Sequence, residues 1–299
     1  MPGRQAIMTD NMLLGAHMSI AGGIDKAIER GISLSCTTLQ LFTKNSNQWK
    51  GRVLKTDEVE RFKTLRKESG ISPLIAHDSY LINLASGSHE LRKRSIQALI
   101  EEMERCSTLE IPYIVIHPGA HLGSGEEAGI KNITDSLNIV FRETEGWGVG
   151  IALEVTAGQG TSIGYRFEHL SRLIDGIRDT ARIKACLDSC HLFAAGYDIS
   201  TAEGYHTVIN DYNRLIGLDR LVCFHVNDSK KGLGSRVDRH EHIGKGCLGE
   251  GFFKLLMKDK RFEYIPKIIE TPKGEDMEED RINLTLLRRM ADKKLEVRD

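Results

Sequence analysis

The chain has 299 residues, 40% of them hydrophobic, enough to bury one large core or two smaller ones. A formal net charge of −1 argues against a protein that coats nucleic acid by bulk electrostatics, yet basic residues gather locally at Lys44, Lys50, Arg52 and Lys55 and again at Lys230, Lys231, Arg236, Arg239 and Lys245. No stretch approaches the roughly 18 uninterrupted apolar residues of a membrane span, and the start, "MPGRQAIMTDNM", lacks the apolar core of a secretory signal, so a soluble cytoplasmic protein is expected.

Short apolar runs alternate with amphipathic stretches, and no linker or low-complexity block interrupts them. In chain order the runs are "LLGAH" (13 to 17), "TLQLF" (38 to 42), "PLIAH" (73 to 77), "YIVIH" (113 to 117), "GIALE" (150 to 154), "IKACLD" (183 to 188), "LVCFH" (221 to 225) and "PKIIE" (266 to 270). Between them, helical spacing of apolar residues predicts helices over 88 to 110 and 167 to 179. Eight strand and helix units with nearly continuous apolar strands predict an α/β fold, a single-domain (β/α)8 TIM barrel rather than an open sheet. Six cysteines (Cys36, Cys106, Cys186, Cys190, Cys223 and Cys247) without a CxxC pair suit reduced, mostly buried thiols. The tripeptides "NIT", "NDS" and "NLT" then match the glycosylation pattern by chance.

Seven of the eight runs finish on histidine, aspartate or glutamate: His17, His77, His117, Glu154, Asp188, His225 and Glu270. In a (β/α)8 barrel these positions converge on one rim, where imidazoles and carboxylates would repel or protonate one another unless cations neutralise them. A polynuclear metal site is the economical solution. In "LDSCH", His191 follows Asp188 by three residues, so a strand end and the turn after it can serve adjacent metals. The late loop "SRVDRHEHIGKGCLGEG" (235 to 251) adds Asp238 and His240, two apart on an extended segment and therefore pointing the same way. Its GxGxxG match at Gly244, Gly246 and Gly249 lies outside the strand-turn-helix setting of a dinucleotide site, so its glycines are read as allowing close packing.

The strings "GAHMSIAGG", "LFTKN", "HDSYLINLAS", "HPGAH", "LEVTAGQG", "LDSCHLFAAGYD", "FHVNDSK" and "GSRVDRHEHIGKGCLG" together resemble the endonuclease IV family of apurinic/apyrimidinic endonucleases. The resemblance runs in order over about residues 13 to 290, which divides the chain into a flexible extension at 1–12, an endonuclease IV-like barrel over 13–290 and a tail at 291–299. It implies a zinc enzyme with three ions that cuts double-stranded DNA on the 5′ side of abasic sites and acts as a monomer. Carried over residue by residue, it implies that His77 and His117 hold one zinc and that Glu154 bridges to a second, completed by Asp188, His225 and Glu270. His191, Asp238 and His240 would hold the third. Such nitrogen and oxygen donors also admit manganese or iron. Glu154 and Glu270 are the expected catalytic carboxylates, with Glu270 either a simple ligand or the group that orients or deprotonates the attacking water.

His17 is expected to support the site or contact phosphate, and His242 to be a loop residue. Tyr80 and Leu81 resemble the family's wedge into the base stack, and Lys44 and Arg239 are expected near DNA. Two positions depart from the family pattern: Asn47 stands where some members carry an arginine that fills the gap in the stack, and Val155 stands where asparagine is common. A metal-dependent sugar isomerase or epimerase is the rival within the fold class, and a noncatalytic DNA-binding scaffold a more distant one. A third metal has no evident use in the first, and rim carboxylates none in the second.

Overall fold

The computed structural model describes residues 12–292. The expected extension and tail lie outside the described residues except for Met12, Ala291 and Asp292. Each apolar run forms a strand: β1 Leu14–Met18, β2 Leu39–Phe42, β3 Leu74–His77, β4 Tyr113–Ile116, β5 Gly150–Glu154, β6 Ile183–Asp188, β7 Leu221–His225 and β8 Lys267–Ile269. They close into one parallel barrel in the order β1-β8-β7-β6-β5-β4-β3-β2, with β8 returning to β1 in the register Leu14 to Lys267. His117 and Glu270 fall one residue past their strands.

Nine helices are assigned among the described residues: α1 Asp25–Ser33, α2 Thr56–Ser69, α3 His89–Thr108, α4 Glu126–Glu143, α5 Phe167–Gly176, α6 Ser189–Ala195, α7 Ala202–Leu215, α8 Glu250–Lys258 and α9 Glu278–Ala291. The stretch read as helical from 88 shows how local sequence sets these elements. Ser88 caps α3 by accepting a hydrogen bond from the Leu91 amide, and Ala98, Leu99, Met103 and Cys106 recur at helical spacing on its buried face. That face also carries Glu102 and Arg105, charged residues with a role at the barrel mouth.

The core has two parts. One lies between strands and helices; the other is a small layer inside the barrel, made of Ile75, Val115, Ala152, Cys186, Cys223 and Ile268. Side chains alternate along a strand, so the residue two positions on faces the same way. Two positions after these six come His77, His117, Glu154, Asp188, His225 and Glu270. One period thus places a dry layer in the barrel and a titratable layer directly above it. Outside the barrel, Asp228–Ser229 pairs antiparallel with His240–Glu241, a ribbon that returns the late loop to the same mouth. No described helix is long and apolar enough to cross a membrane.

Candidate metal centre

The rim residues fall into three donor groups, in each of which the candidate ligand atoms lie within 4.8 Å of one another: His77, His117 and Glu154; Glu154, Asp188, His225 and Glu270; and His191, Asp238 and His240. Glu154 belongs to two groups. Its Oε2 lies 3.2 Å from His77 Nε2 and 3.1 Å from His117 Nε2, and its Oε1 lies 2.9 Å from His225 Nδ1. Asp188 links the second group to the third, with its Oδ2 3.9 Å from His225 Nδ1 and 3.7 Å from His240 Nε2. All nine side chains named in the sequence reading meet at this mouth.

The outer nitrogens of the imidazoles decide what the inner ones can do. Nδ1 of His77 is 3.0 Å from the carbonyl of Asp78, Nδ1 of His191 is 3.0 Å from that of Val155, and Nδ1 of His240 is 3.1 Å from that of Glu270. A carbonyl only accepts, so each of these nitrogens carries the proton and each Nε2 turns a lone pair to the rim. His225 is held the other way round, with Nε2 2.8 Å from Gln40 Oε1 and Nδ1 facing the carboxylates of Glu154 and Glu270. Nitrogen lone pairs therefore confront carboxylate oxygens. His191 Nε2 and His240 Nε2 are buried and make no hydrogen bond among the described residues, although Asp238 Oδ2 is 3.2 Å from the first. Lone pairs aimed at anions need a cation between them, and nitrogen and oxygen donors without thiolate suit a divalent ion with open positions.

Without metal, protons would take that place. Burial disfavours imidazolium at His77, His191 and His225, but nearby carboxylates outweigh it and raise all three above the ordinary value. Glu154 and Glu270 are likewise opposed by burial, yet the histidines, led by His225, hold both well below the usual carboxylate range. His17 stands apart. Burial lowers its pKa, Gln40 donates to its Nδ1 at 2.9 Å, and its buried Nε2 has no hydrogen-bond partner among the described residues. His242 is bound by Asn283 at 3.1 Å and belongs to none of the three groups.

Several supporting residues had escaped the sequence reading. Gln40 bonds His225, His17 and, at 2.6 Å, Glu270 Oε1; Asn227 donates to Asp188 Oδ2 at 2.6 Å and accepts from the Glu270 amide at 2.7 Å. Each left a signal, a lone amide inside the apolar "TLQLF" and another two residues after His225. Val155 needs no polar side chain for its part, since its carbonyl is what meets His191. Of the three late-loop glycines, Gly246 serves close packing, whereas Gly249 has open space about it and a positive φ. Gly246 and Leu248 donate to the buried Asp228 at 3.0 and 2.9 Å, and a Cβ on Gly246 would collide with the Ser229 carbonyl.

A family model described as a xylose isomerase-like TIM barrel matches residues 28–290. A probable endonuclease 4 from Chloroflexus aurantiacus is 53% identical over 277 residues, 93% of this chain and 97% of the relative. One from Geobacter sulfurreducens is 54% identical over 281 residues, 94% of this chain and 95% of its own length. Among solved structures, endonuclease IV from Thermus thermophilus matches with a TM-score of 0.81 and 38% identity, covering 93% of this chain and 98% of that one. The chain belongs to the endonuclease IV family. It is an enzyme, a metal-dependent nuclease, and the sugar isomerase is set aside.

Beside this endonuclease IV rim, the loop after β3 presents Tyr80, 67% exposed, its ring edge-on to Phe42 at 5.5 Å, followed by the half-buried Leu81. Asn47 is exposed on the loop after β2, and Arg239 is exposed beside Asp238, whose carbonyl it binds at 2.7 Å. Lys44 corrects an expectation. Its place in a basic cluster predicts a DNA contact, but it is only 4% exposed, and its ammonium lies 2.7 Å from Glu102 Oε1 and 2.9 Å from the Gln48 carbonyl. The carboxylate of Glu102, carried on the buried face of α3, draws the ammonium inward.

Proposed function

We propose that the chain hydrolyses the phosphodiester 5′ to abasic sites in double-stranded DNA, leaving a 3′-hydroxyl and a 5′-deoxyribose phosphate, with three zinc ions held at the rim. The observation that carries this reading is the set of three donor groups sharing Glu154 and Asp188, in which anchored imidazoles turn lone pairs toward carboxylates. His77 and His117 would hold one ion, Glu154 would bridge it to a second held also by Asp188, His225 and Glu270, and His191, Asp238 and His240 would hold the third. Divalent cations bound there supply Lewis acidity, activating water for attack and neutralising charge that develops on the phosphate.

The residues do the rest. Glu154, buried and engaged through both oxygens, fixes the spacing between two donor groups. Glu270 has one oxygen held by Gln40 and the other facing His225, so it can orient a water or take its proton without swinging away. Tyr80 supports a wedge role, because an exposed aromatic beside the rim can fill the stack where a base is missing, with Leu81 behind it. Asn47 and Arg239 are proposed to face the DNA. The nine donors come from a single chain, which supports a monomeric unit, and six free cysteines, five of them buried, support a reducing cytoplasmic setting.

The test is a duplex bearing one abasic site, incubated with the metal-loaded protein, followed by identification of both new ends. A 3′ end that a polymerase extends directly, together with a 5′-deoxyribose phosphate, is the expected result. Uncut DNA, or a cut on the 3′ side of the lesion, would refute the reading.

A further inference from the structure

One layer below the rim, the inside of the barrel holds two thiols. Cys186 and Cys223 stand opposite one another in register on β6 and β7, and both are completely buried. Each comes two residues before a rim donor, Asp188 and His225, and so faces the same interior. The two sulfurs and one ring nitrogen of His225 lie within 4.8 Å of one another. The rest of this layer is Ile75, Val115, Ala152 and Ile268. The Cys186 thiol meets the Cys223 thiol and, at 3.8 Å, the Leu187 carbonyl, and Cys223 in turn meets His225.

We propose that Cys186, Cys223 and His225 form a further site for a soft, thiophilic divalent cation such as cadmium, beneath the nitrogen and oxygen donors of the rim and sharing His225 with them. Two zinc–sulfur bonds of about 2.3 Å at a tetrahedral angle would set the sulfurs ~3.8 Å apart, and the longer bonds of a larger ion such as cadmium set them somewhat farther, within the 4.8 Å that separates the donors at most, so small side-chain rotations close the site. Binding releases both thiol protons to solvent and moves no electrons. Two thiolates then cancel the charge of one dication, so no net charge enters the apolar layer. Softness favours the lower level for cadmium, since thiolate sulfur prefers a thiophilic ion, while the rim's carboxylates and imidazoles also take borderline zinc and harder ions. A pair of thiols that merely fills space as small apolar side chains would show no such selection.

His225 belongs to both donor sets. An ion drawn into the lower site therefore competes with Glu154, Asp188 and Glu270 for the imidazole, which makes the thiol layer a point of entry for soft-metal poisoning of the centre above.

Titrating the metal-loaded protein with cadmium chloride, while following the ultraviolet sulfur-to-cadmium charge-transfer band, tests this. Oxygen and nitrogen sites give no such band, and the reading is independent of nuclease activity. The band should saturate at one cadmium per chain, disappear in Cys186→Ala and Cys223→Ala, and persist in Cys190→Ser and Cys247→Ser. The Cys190 variant matters because that thiol lies near Asp188 and His240. Truncating a buried thiol can unfold a chain, so cadmium-soaked crystals of the unaltered protein give a second measurement, an anomalous peak within bonding distance of both sulfurs. No band, an undiminished band in folded Cys223→Ala, or anomalous density confined to the rim would overturn the proposal.

Discussion

The amide of Gln40 accepts from His225 Nε2 and donates to Glu270 Oε1, so one side chain fixes the ring orientation of a histidine and holds a carboxylate beside it. Outer partners of this kind typically change metal affinity by roughly 10- to 100-fold when removed. Gln40→Leu should therefore weaken the second donor group by about that factor, seen as easier metal loss to a competing chelator; unchanged competition would mean that the amide only fills space. Asn47 is legible in a different way, as an exposed position where a guanidinium would add charge and a stacking surface that an amide lacks. Asn47→Arg should tighten abasic-duplex binding by about 1 kcal/mol and steepen its salt dependence by about one counterion. Superimposable binding curves for the two proteins at two salt concentrations would place residue 47 away from the DNA.

At the scale of elements, α3 governs the loops at the mouth. Glu102 accepts from the Ser79 amide at 3.1 Å and pairs with Lys44, Glu101 accepts from the Gly51 amide at 2.7 Å, and Arg105 binds the carbonyls of Thr43 and, at 2.8 Å, Arg52. Ser79 in turn donates to the Ser46 carbonyl at 2.6 Å, tying the loop after β3 to the loop after β2. None of this was legible beforehand. Loops have no period to read, and a lysine in a basic cluster looks the same whether its partner is phosphate or a buried glutamate on a distant helix.

The pair has a pH signature. Burial pushes the Glu102 carboxyl up to about 7, against the pull of Lys44. A carboxyl raised on folding contributes stability that is fully present below its unfolded value and is lost as pH rises through the folded one. Lys44→Met removes the opposing charge and raises Glu102 further, so the loss continues above pH 7 in the variant after it has ended in the parent. The stability gap between the two proteins should thus widen between about pH 6 and about pH 8. A gap independent of pH in denaturant unfolding would show that the lysine contributes only packing.

At the scale of the whole molecule, a two-residue period carries both the fold and the site. The strand ends could be read from the sequence because each apolar run keeps one direction in register with its neighbours, and closure of the barrel brings the last residues to one mouth. What could not be read was the level beneath, where Cys186 and Cys223 become neighbours only through the pairing of β6 with β7. A rim of lone pairs and carboxylates also ties folding to metal. Ligands that bind only the folded state at about 1,000 times their dissociation constant add about 4 kcal/mol each, so complete chelation should lower the unfolding temperature markedly. An unchanged melting curve after metal removal would mean that the rim is satisfied by protons alone.

Three donor groups at one rim call for three cations, held by the nine side chains His77, His117, Glu154, Asp188, His191, His225, Asp238, His240 and Glu270. Elemental analysis of the purified, fully active protein measures this directly. Three metal ions per chain are expected, zinc foremost, with a loss in Glu154→Gln that exceeds a single ion because this carboxylate serves two groups. Full activity with one ion per chain, or an undiminished metal content in Glu154→Gln, would contradict it.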